Sequence, residues 1–342
     1  MIQINKVLYI THDDLYLYIQ NENIIIKNNE NVEKLRVPLL LIEGIVIFGN
    51  TTISNYVIKI CSDYNIIISY VSVYGNYYGR FCGKNNGNIF LRKKQYEMYG
   101  TTKSIELVKN IILGKVLNSR NVLLRVIRDC EDIEKKNNLI ESSNKILEIS
   151  KNLKDANTID SIRGIEGSIA NIYFSTFDNM LKVEDERMLF QKRSKRPPEN
   201  YCNCLLSLLY TLLTMNVTSA LETYGLDSSC GYMHTLKSGR ASLSCDLVEE
   251  FRAPIVDKFV INLINRKQIT QKDFEFGENG IVLTKQGLKK VLDLWEKHKE
   301  NEVFYPLYNK KVKIKVVPYL QAQLMAQYIR GDIEKYPPFK WK

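Results

Sequence analysis

The 342-residue chain has no disulfide framework: its seven cysteines are odd in number and scattered through apolar segments, which excludes a small secreted scaffold held by bridges. No spacing among Cys202, Cys204, Cys230 and Cys245 forms the CxxC pair of a zinc ribbon, so these read as core thiols. Long apolar runs are missing too. The most apolar stretch, Val37 to Phe48, is interrupted by Glu43 and is too short to span a bilayer, so no membrane segment is expected. Without a basic leader followed by an apolar core and a cleavage site, a cytoplasmic location is expected. No internal repeat or extended low-complexity tract is visible. Negative charge is in deficit, 38 Asp and Glu against 48 Lys and Arg, giving +10. That surplus suits a polyanionic partner, although the abundance of Lys, Asn and Ile equally fits an AT-biased genome. Histidine is scarce, at three residues.

What is present reads as a soluble globular chain, 45% hydrophobic and 25% charged, long enough for two domains. The first part is β structure. Short runs rich in Ile, Val and Tyr predict strands over Lys6–Ile10, Leu15–Ile19, Asn23–Lys27, Glu33–Pro38, Gly44–Phe48 and Ile66–Val73, with one helix over Ser54–Asp63. After Asn88 the chain turns Lys/Glu-rich with helical apolar spacing, first at Ile105, Val108, Ile111 and Ile112 and then at Val122, Leu123, Val126 and Ile127. The fold class expected is α+β: an N-terminal β-rich domain over residues 1–92, then a larger all-α domain over residues 93–342.

Chemistry concentrates between Gly225 and Arg266. From Asp246 onward, Leu247, Val248, Phe251, Ile255, Phe259 and Leu263 recur on one helix face, which predicts a helix opening at Asp246 with Ser244 as its cap. Glu249 lies one turn beyond Asp246. His234, in a loop bounded by Gly231 and Gly239, is positioned to fold back over that helix start. Such oxygen and nitrogen donors suit magnesium or manganese, with zinc as an alternative. A loop histidine bonded locally, and acids that solvate a first helical turn, is the plainer reading of the same residues. Pro254 predicts a kink or break. Upstream, Glu166 sits on an otherwise apolar helix between Gly164 and Gly167, where small residues leave room for a backbone or a phosphate. The loop QKRSKRPPEN carries Lys192, Arg193, Lys195 and Arg196 ahead of a helix over about Tyr201–Leu221, and reads either as a phosphate-binding or as a merely solvated loop.

In order along the chain, GIEG around Glu166, RPPENYCN, GYMH around His234 and GRASLSCDLVEEFR resemble the motifs of the CRISPR-associated integrase and nuclease of spacer acquisition, the Cas one family. The opening VLYITHDDLYLYIQNENIIIKNN looks like that family's N-terminal β domain, and the closing LQAQLMAQYIRGDIEKYPPFKWK like the C-terminus of its subtype I-C branch. The resemblance implies a metal-dependent DNA endonuclease and integrase, with Glu166, His234 and Glu249 as ligands of Mg2+ or Mn2+ and Asp246 as a further acidic position. It implies double-stranded DNA as substrate, a homodimer formed through the β domain, and assembly with Cas two dimers. Thr235 and Leu236 stand where relatives often carry a charged pair, so DNA contacts from that loop fall to Lys237 and Arg240. Arg163, Arg193, Arg196 and Arg252 complete the expected contacts. A branched-DNA repair nuclease and a non-catalytic DNA-binding assembly subunit are the competing readings.

Overall fold

The computed structural model describes residues 6–72, 75–83, 88–183, 185–194, 197–277 and 280–341. By packing, the chain divides into two compact units, Met1–Asn86 with Leu283–Lys297, and Gly87–Val282 with His298–Lys342. The segment 283–297, which the sequence reading assigned to the helical domain, therefore groups with the β-rich unit.

The β-rich unit holds β1 (Lys6–Ile10), β2 (Leu15–Gln20), β3 (Asn23–Asn28), β4 (Glu33–Pro38), β5 (Ile42–Phe48), β6 (Thr51–Ile53), β7 (Ile67–Val71) and β8 (Tyr77–Phe81), with helix α1 (Asn55–Asp63) between β6 and β7. They form two four-stranded sheets, one in the order β1-β5-β7-β8 and the other β4-β3-β2-β6. The first is parallel except for β8; in the second, β2 pairs with β6 in parallel and with β3 antiparallel. Ile and Leu side chains from both sheets, among them Leu17, Ile24, Ile26, Ile45, Ile47 and Ile68, bury together with Val57 and Cys61 of α1, so the apolar alternation of the strands has one shared core to fill. Ser54 caps α1, its hydroxyl accepting from the Val57 N–H at 3.3 Å. Sequence patterning missed β6 and β8. A three-residue strand carries no period, and β8 contains Gly79. Of the last strand predicted, Val73 lies outside the described residues.

The second unit contains α2 (Ile89–Glu97), α3 (Thr102–Arg128), α4 (Ile133–Ser150), α5 (Ile159–Ser175), α6 (Tyr201–Thr223), α7 (Ser242–Val248), α8 (Lys258–Asn265) and α10 (Val317–Arg330); α9 (Lys285–Lys299) runs mostly within the first. It is not all-α. The short strands β9 (Phe274–Gly277) with β10 (Gly280–Leu283), and β11 (Glu302–Tyr305) with β12 (Lys310–Lys313), form two ladders, too brief for an alternating pattern to stand out in sequence. Among the described residues α6 alone is long and apolar enough to cross a membrane, by length and composition only, and 61% of its most apolar window is buried inside the fold.

The C-terminal segment Tyr336–Trp341 is bound to α3 through polar groups rather than by a helix of its own. Fully buried Asn118 donates its amide to the carbonyls of Glu250 (2.8 Å) and Phe339 (2.9 Å) and accepts from the Trp341 N–H (2.8 Å). Gly114, one turn earlier, leaves space for the strap: a Cβ there would stand 2.9 Å from Pro338 Cβ and 3.2 Å from Glu250 Cγ. The Glu250 carboxyl accepts from the Phe339 N–H, Tyr336 OH and Gln321 amide. Asn118→Ala strands three buried backbone groups at once, each worth about 1–3 kcal/mol when unpaired, and should lower stability by about 3 kcal/mol or more in urea unfolding.

Candidate active site

Asp246 lies inside a helix that opens at Ser242, four residues earlier than the sequence pattern predicted. The cap is not Ser244, whose hydroxyl pairs with Thr218 at 2.7 Å. Instead the Ser228 carbonyl, brought from upstream, accepts from the N–H groups of Leu243 (2.9 Å) and Ser244 (3.4 Å), a non-local partner for donors left over at any helix start. The loop carrying His234 approaches so closely that a Cβ on Gly231 would stand 2.5 Å from the Ser242 carbonyl carbon. Only glycine fits there.

That approach lets the fully buried Asp246 carboxylate gather the loop. One oxygen accepts from the N–H groups of Tyr232 (2.6 Å) and Met233 (3.0 Å), the other from the His234 N–H (2.9 Å) and ring Nδ1 (2.7 Å). A carboxylate oxygen accepts, so Nδ1 carries the hydrogen and Nε2 keeps its lone pair. Asp246 thus orients the imidazole, and each of its oxygens accepts two hydrogen bonds from the loop.

Beyond Val248 the helix stops being regular. The N–H groups of Glu249, Glu250 and Phe251 bond three residues back, and Arg252–Asp257 then widens into a π-helical segment containing Pro254 before α8 resumes at Lys258. Pro254 has no N–H to donate, and the chain answers with the break expected of it. In this irregular turn Glu249 and Glu250 face different partners: Glu250 holds the C-terminal strap, while Glu249 enters the site.

Glu249 is 2% exposed. Its Oε2 accepts from Lys115 Nζ at 2.6 Å and its Oε1 from Arg252 at 2.8 Å. The same Lys115 ammonium bonds to Glu166 Oε1 on α5. Two of the three acids and bases expected to share a metal ion therefore already share a cation. Burial pushes the Glu249 pKa upward, but Arg252 and Lys115 more than offset it and hold the carboxyl down at about 2. For Lys115 burial works against the charge, and Glu249 and Glu166 outweigh it, raising its pKa. Among the described residues, no group of three or more His, Cys, Asp or Glu stands ready to hold a metal ion as these side chains are arranged. The donor chemistry nevertheless fits one: two carboxylates grouped around a positive charge, and an imidazole whose Nδ1, not Nε2, is engaged by Asp246. Beyond their own helix, no described residue comes within 4 Å of a Cβ built on Gly164 or Gly167, so the helix surface flanking Glu166 is open.

The predicted DNA contacts divide into two groups. Lys237 is exposed and Arg240 half-buried on the loop between His234 and α7. Arg163, Arg193 and Arg252 serve inside the chain: Arg163 Nε donates to the Met233 carbonyl at 2.6 Å, which ties Glu166's helix to His234's loop; Arg193 donates to Ser194 O and Asn203 Oδ1; Arg252 pairs with Glu249. Arg196 and Lys195 lie outside the described residues. Sequence reading missed Lys115. The signal was its register: it continues the stripe Val108, Ile111, Ile112, Ser119, Val122 on α3 at helical spacing, so a charged group occurs on a face that is otherwise buried.

A family model described as CRISPR associated protein Cas1 matches residues 8–297. A CRISPR-associated endonuclease Cas1 of Chlorobaculum tepidum is 37% identical over 337 residues, 98% of each chain. Among solved structures, a Cas1 protein from Thermotoga maritima superposes with a TM-score of 0.80 at 23% identity, covering 95% of this chain and 97% of that one. A casposase bound to its integration product gives 0.84 at 22% identity, covering 98% and 94%.

Asp246→Asn tests the clamp. The amide presents an NH2 to one pair of donors, so unfolding free energy should fall by about 3 kcal/mol, and imidazole nitrogen shifts should change from the single Nδ1–H tautomer to a mixture. Unaltered shifts would mean that Asp246 does not set the ring.

Proposed function

The chain belongs to the Cas1 family, and on that premise we propose that it is a divalent-metal-dependent DNA endonuclease and integrase, inserting short duplex fragments into a CRISPR array by 3′-hydroxyl attack on a phosphodiester. The observation that carries the reading is that Glu166 and Glu249, brought from separate segments, share the Lys115 cation beside an open helix surface, while Arg163 ties the Glu166 helix to the loop on which Asp246 orients His234. Relatives named as endonucleases and the fold shared with a casposase support it.

Glu166, Glu249 and His234 Nε2 are the residues that would hold Mg2+ or Mn2+. Bound there, the ion supplies a Lewis acid that polarises the scissile phosphodiester and lowers the pKa of an attacking hydroxyl or water. The chain's own residues do the rest. Asp246 fixes the imidazole so that Nε2 is aimed without rotamer freedom, and Arg252 keeps Glu249 ionised and immobile. Arg163 locks the two ligand-bearing segments together. Lys237 and Arg240 offer cations to the DNA backbone along the loop that leads into α7. We further propose double-stranded DNA as substrate, a homodimer built through the β-rich unit, assembly with Cas2, a cytoplasmic location, and descent within the subtype I-C branch on the strength of the closing LQAQLMAQYIRGDIEKYPPFKWK.

Transfer of a short duplex into a supercoiled repeat-bearing plasmid, with and without Mn2+, is the direct test. Glu166→Gln and His234→Ala should each lower nicking and strand transfer by on the order of 10³-fold while DNA affinity changes little, because phosphate binding resides mainly in Lys and Arg. Parallel loss of binding and catalysis would point to a purely binding role or misfolding. Arg240→Ala should reduce the slope of log affinity against log salt by about one counterion, and an unchanged slope would remove Arg240 from the interface.

A further inference from the structure

Lys115 comes from α3, a helix that contributes none of the motif residues, yet its ammonium bonds to both Glu166 Oε1 and Glu249 Oε2. Its side chain is only 11% exposed, so water does little to screen the bridge. The remaining oxygen of Glu249 is held by Arg252 at 2.8 Å. Two carboxylates are thus matched by two cations, and the pocket is close to neutral as it stands. An ion entering between the same oxygens meets a positive charge already in place. It must push the ammonium aside or leave the pocket with two surplus positive charges in a poorly solvated site. A DNA phosphodiester beside the open face of α5 eases that conflict, because its single negative charge offsets half of the surplus and gives the displaced ammonium a new acceptor.

Resting on the metal-dependent reading above, we infer that Lys115 is a resident counter-cation which makes divalent-ion loading and DNA binding depend on one another. Without DNA it competes with the ion for Glu166 and Glu249; with DNA it swings from the carboxylates to phosphate. Lys115 is then a positioning residue for the ion, and the coupling must be reciprocal: DNA tightens ion binding by the same factor as the ion tightens DNA binding. A further consequence is protection. An enzyme that cuts DNA gains from a pocket that fills only when substrate is present.

The experiment measures Mn2+ affinity of the full chain directly, by electron paramagnetic resonance of free Mn2+, with and without a duplex whose 3′ ends are dideoxy so that no strand transfer occurs. In the wild type, DNA should tighten Mn2+ binding about tenfold. Lys115→Met should bind Mn2+ about tenfold more tightly than wild type in the absence of DNA and lose most of the DNA effect. Lys115→Arg, which restores a cation, should return both quantities toward wild type. Lys115→Gln replaces the methionine variant if circular dichroism shows that the latter does not fold. Unchanged or weaker DNA-free Mn2+ affinity in a folded Lys115→Met or Lys115→Gln protein overturns the inference and leaves Lys115 as a structural ion-pair partner. If Mn2+ binds neither wild type nor variant, with or without DNA, the metal-dependent reading itself fails and the inference with it.

Discussion

One ammonium holds the site together. Lys115 stands between Glu166 and Glu249, two buried or half-buried carboxylates that would otherwise repel each other across a poorly solvated pocket. Burying such charges is costly unless they are paired, and here the pairing reaches outward. Glu249 is also held by Arg252, whose guanidinium lies over the Tyr210 ring at 5.0 Å, while Tyr210 in turn donates to buried Asp257. The ion bridge is therefore the inner end of a network that fixes α3, α5, α6 and the broken helix around Pro254 in one arrangement.

The break at Pro254 lets neighbouring acids serve different ends. In a regular helix Glu249 and Glu250 would point about 100° apart and the chain beyond them would continue straight. Here the tight turns through Phe251 and the wide segment Arg252–Asp257 direct Glu249 to the cation, Glu250 to the C-terminal strap and Asp257 to Tyr210. Departures of this kind from helical regularity recur at functional sites. The strap in turn closes over α3 close to Lys115, through Asn118 and Gly114. Site and C-terminus share the same stretch of α3.

Much of this was legible in the residues. Most strands and the helix of the β-rich part follow from short runs rich in Ile, Val and Tyr set between polar turns, because these are local preferences that tertiary contacts here reinforce. The scarcity of histidine drew attention to His234, and the spacing of Asp246 and Glu249 to one side of a helix. What the residues left unread were partners distant in sequence. Arg163, Arg193 and Arg252, expected as DNA contacts because guanidinium groups bind phosphate, also bond within the chain, to Met233, Asn203 and Glu249 respectively. The true start of α7 was hidden because its cap is the carbonyl of Ser228, not a side chain next to it in sequence.

The sequence by itself determined the succession of a β-rich part and a helical part, the apolar faces, the family and the set of acids and imidazole available for chemistry, since each of these depends on residue type and spacing along the chain. Only the tertiary structure decided that Asp246 bonds to His234 and its loop, that Lys115 bridges Glu166 and Glu249, and that residues 283–297 pack with the β-rich unit. Those outcomes depend on which donors come within about 3 Å of which acceptors. Such contacts join positions far apart in the chain, 134 residues for Lys115 and Glu249 and 223 for Asn118 and Trp341, and no local pattern encodes them.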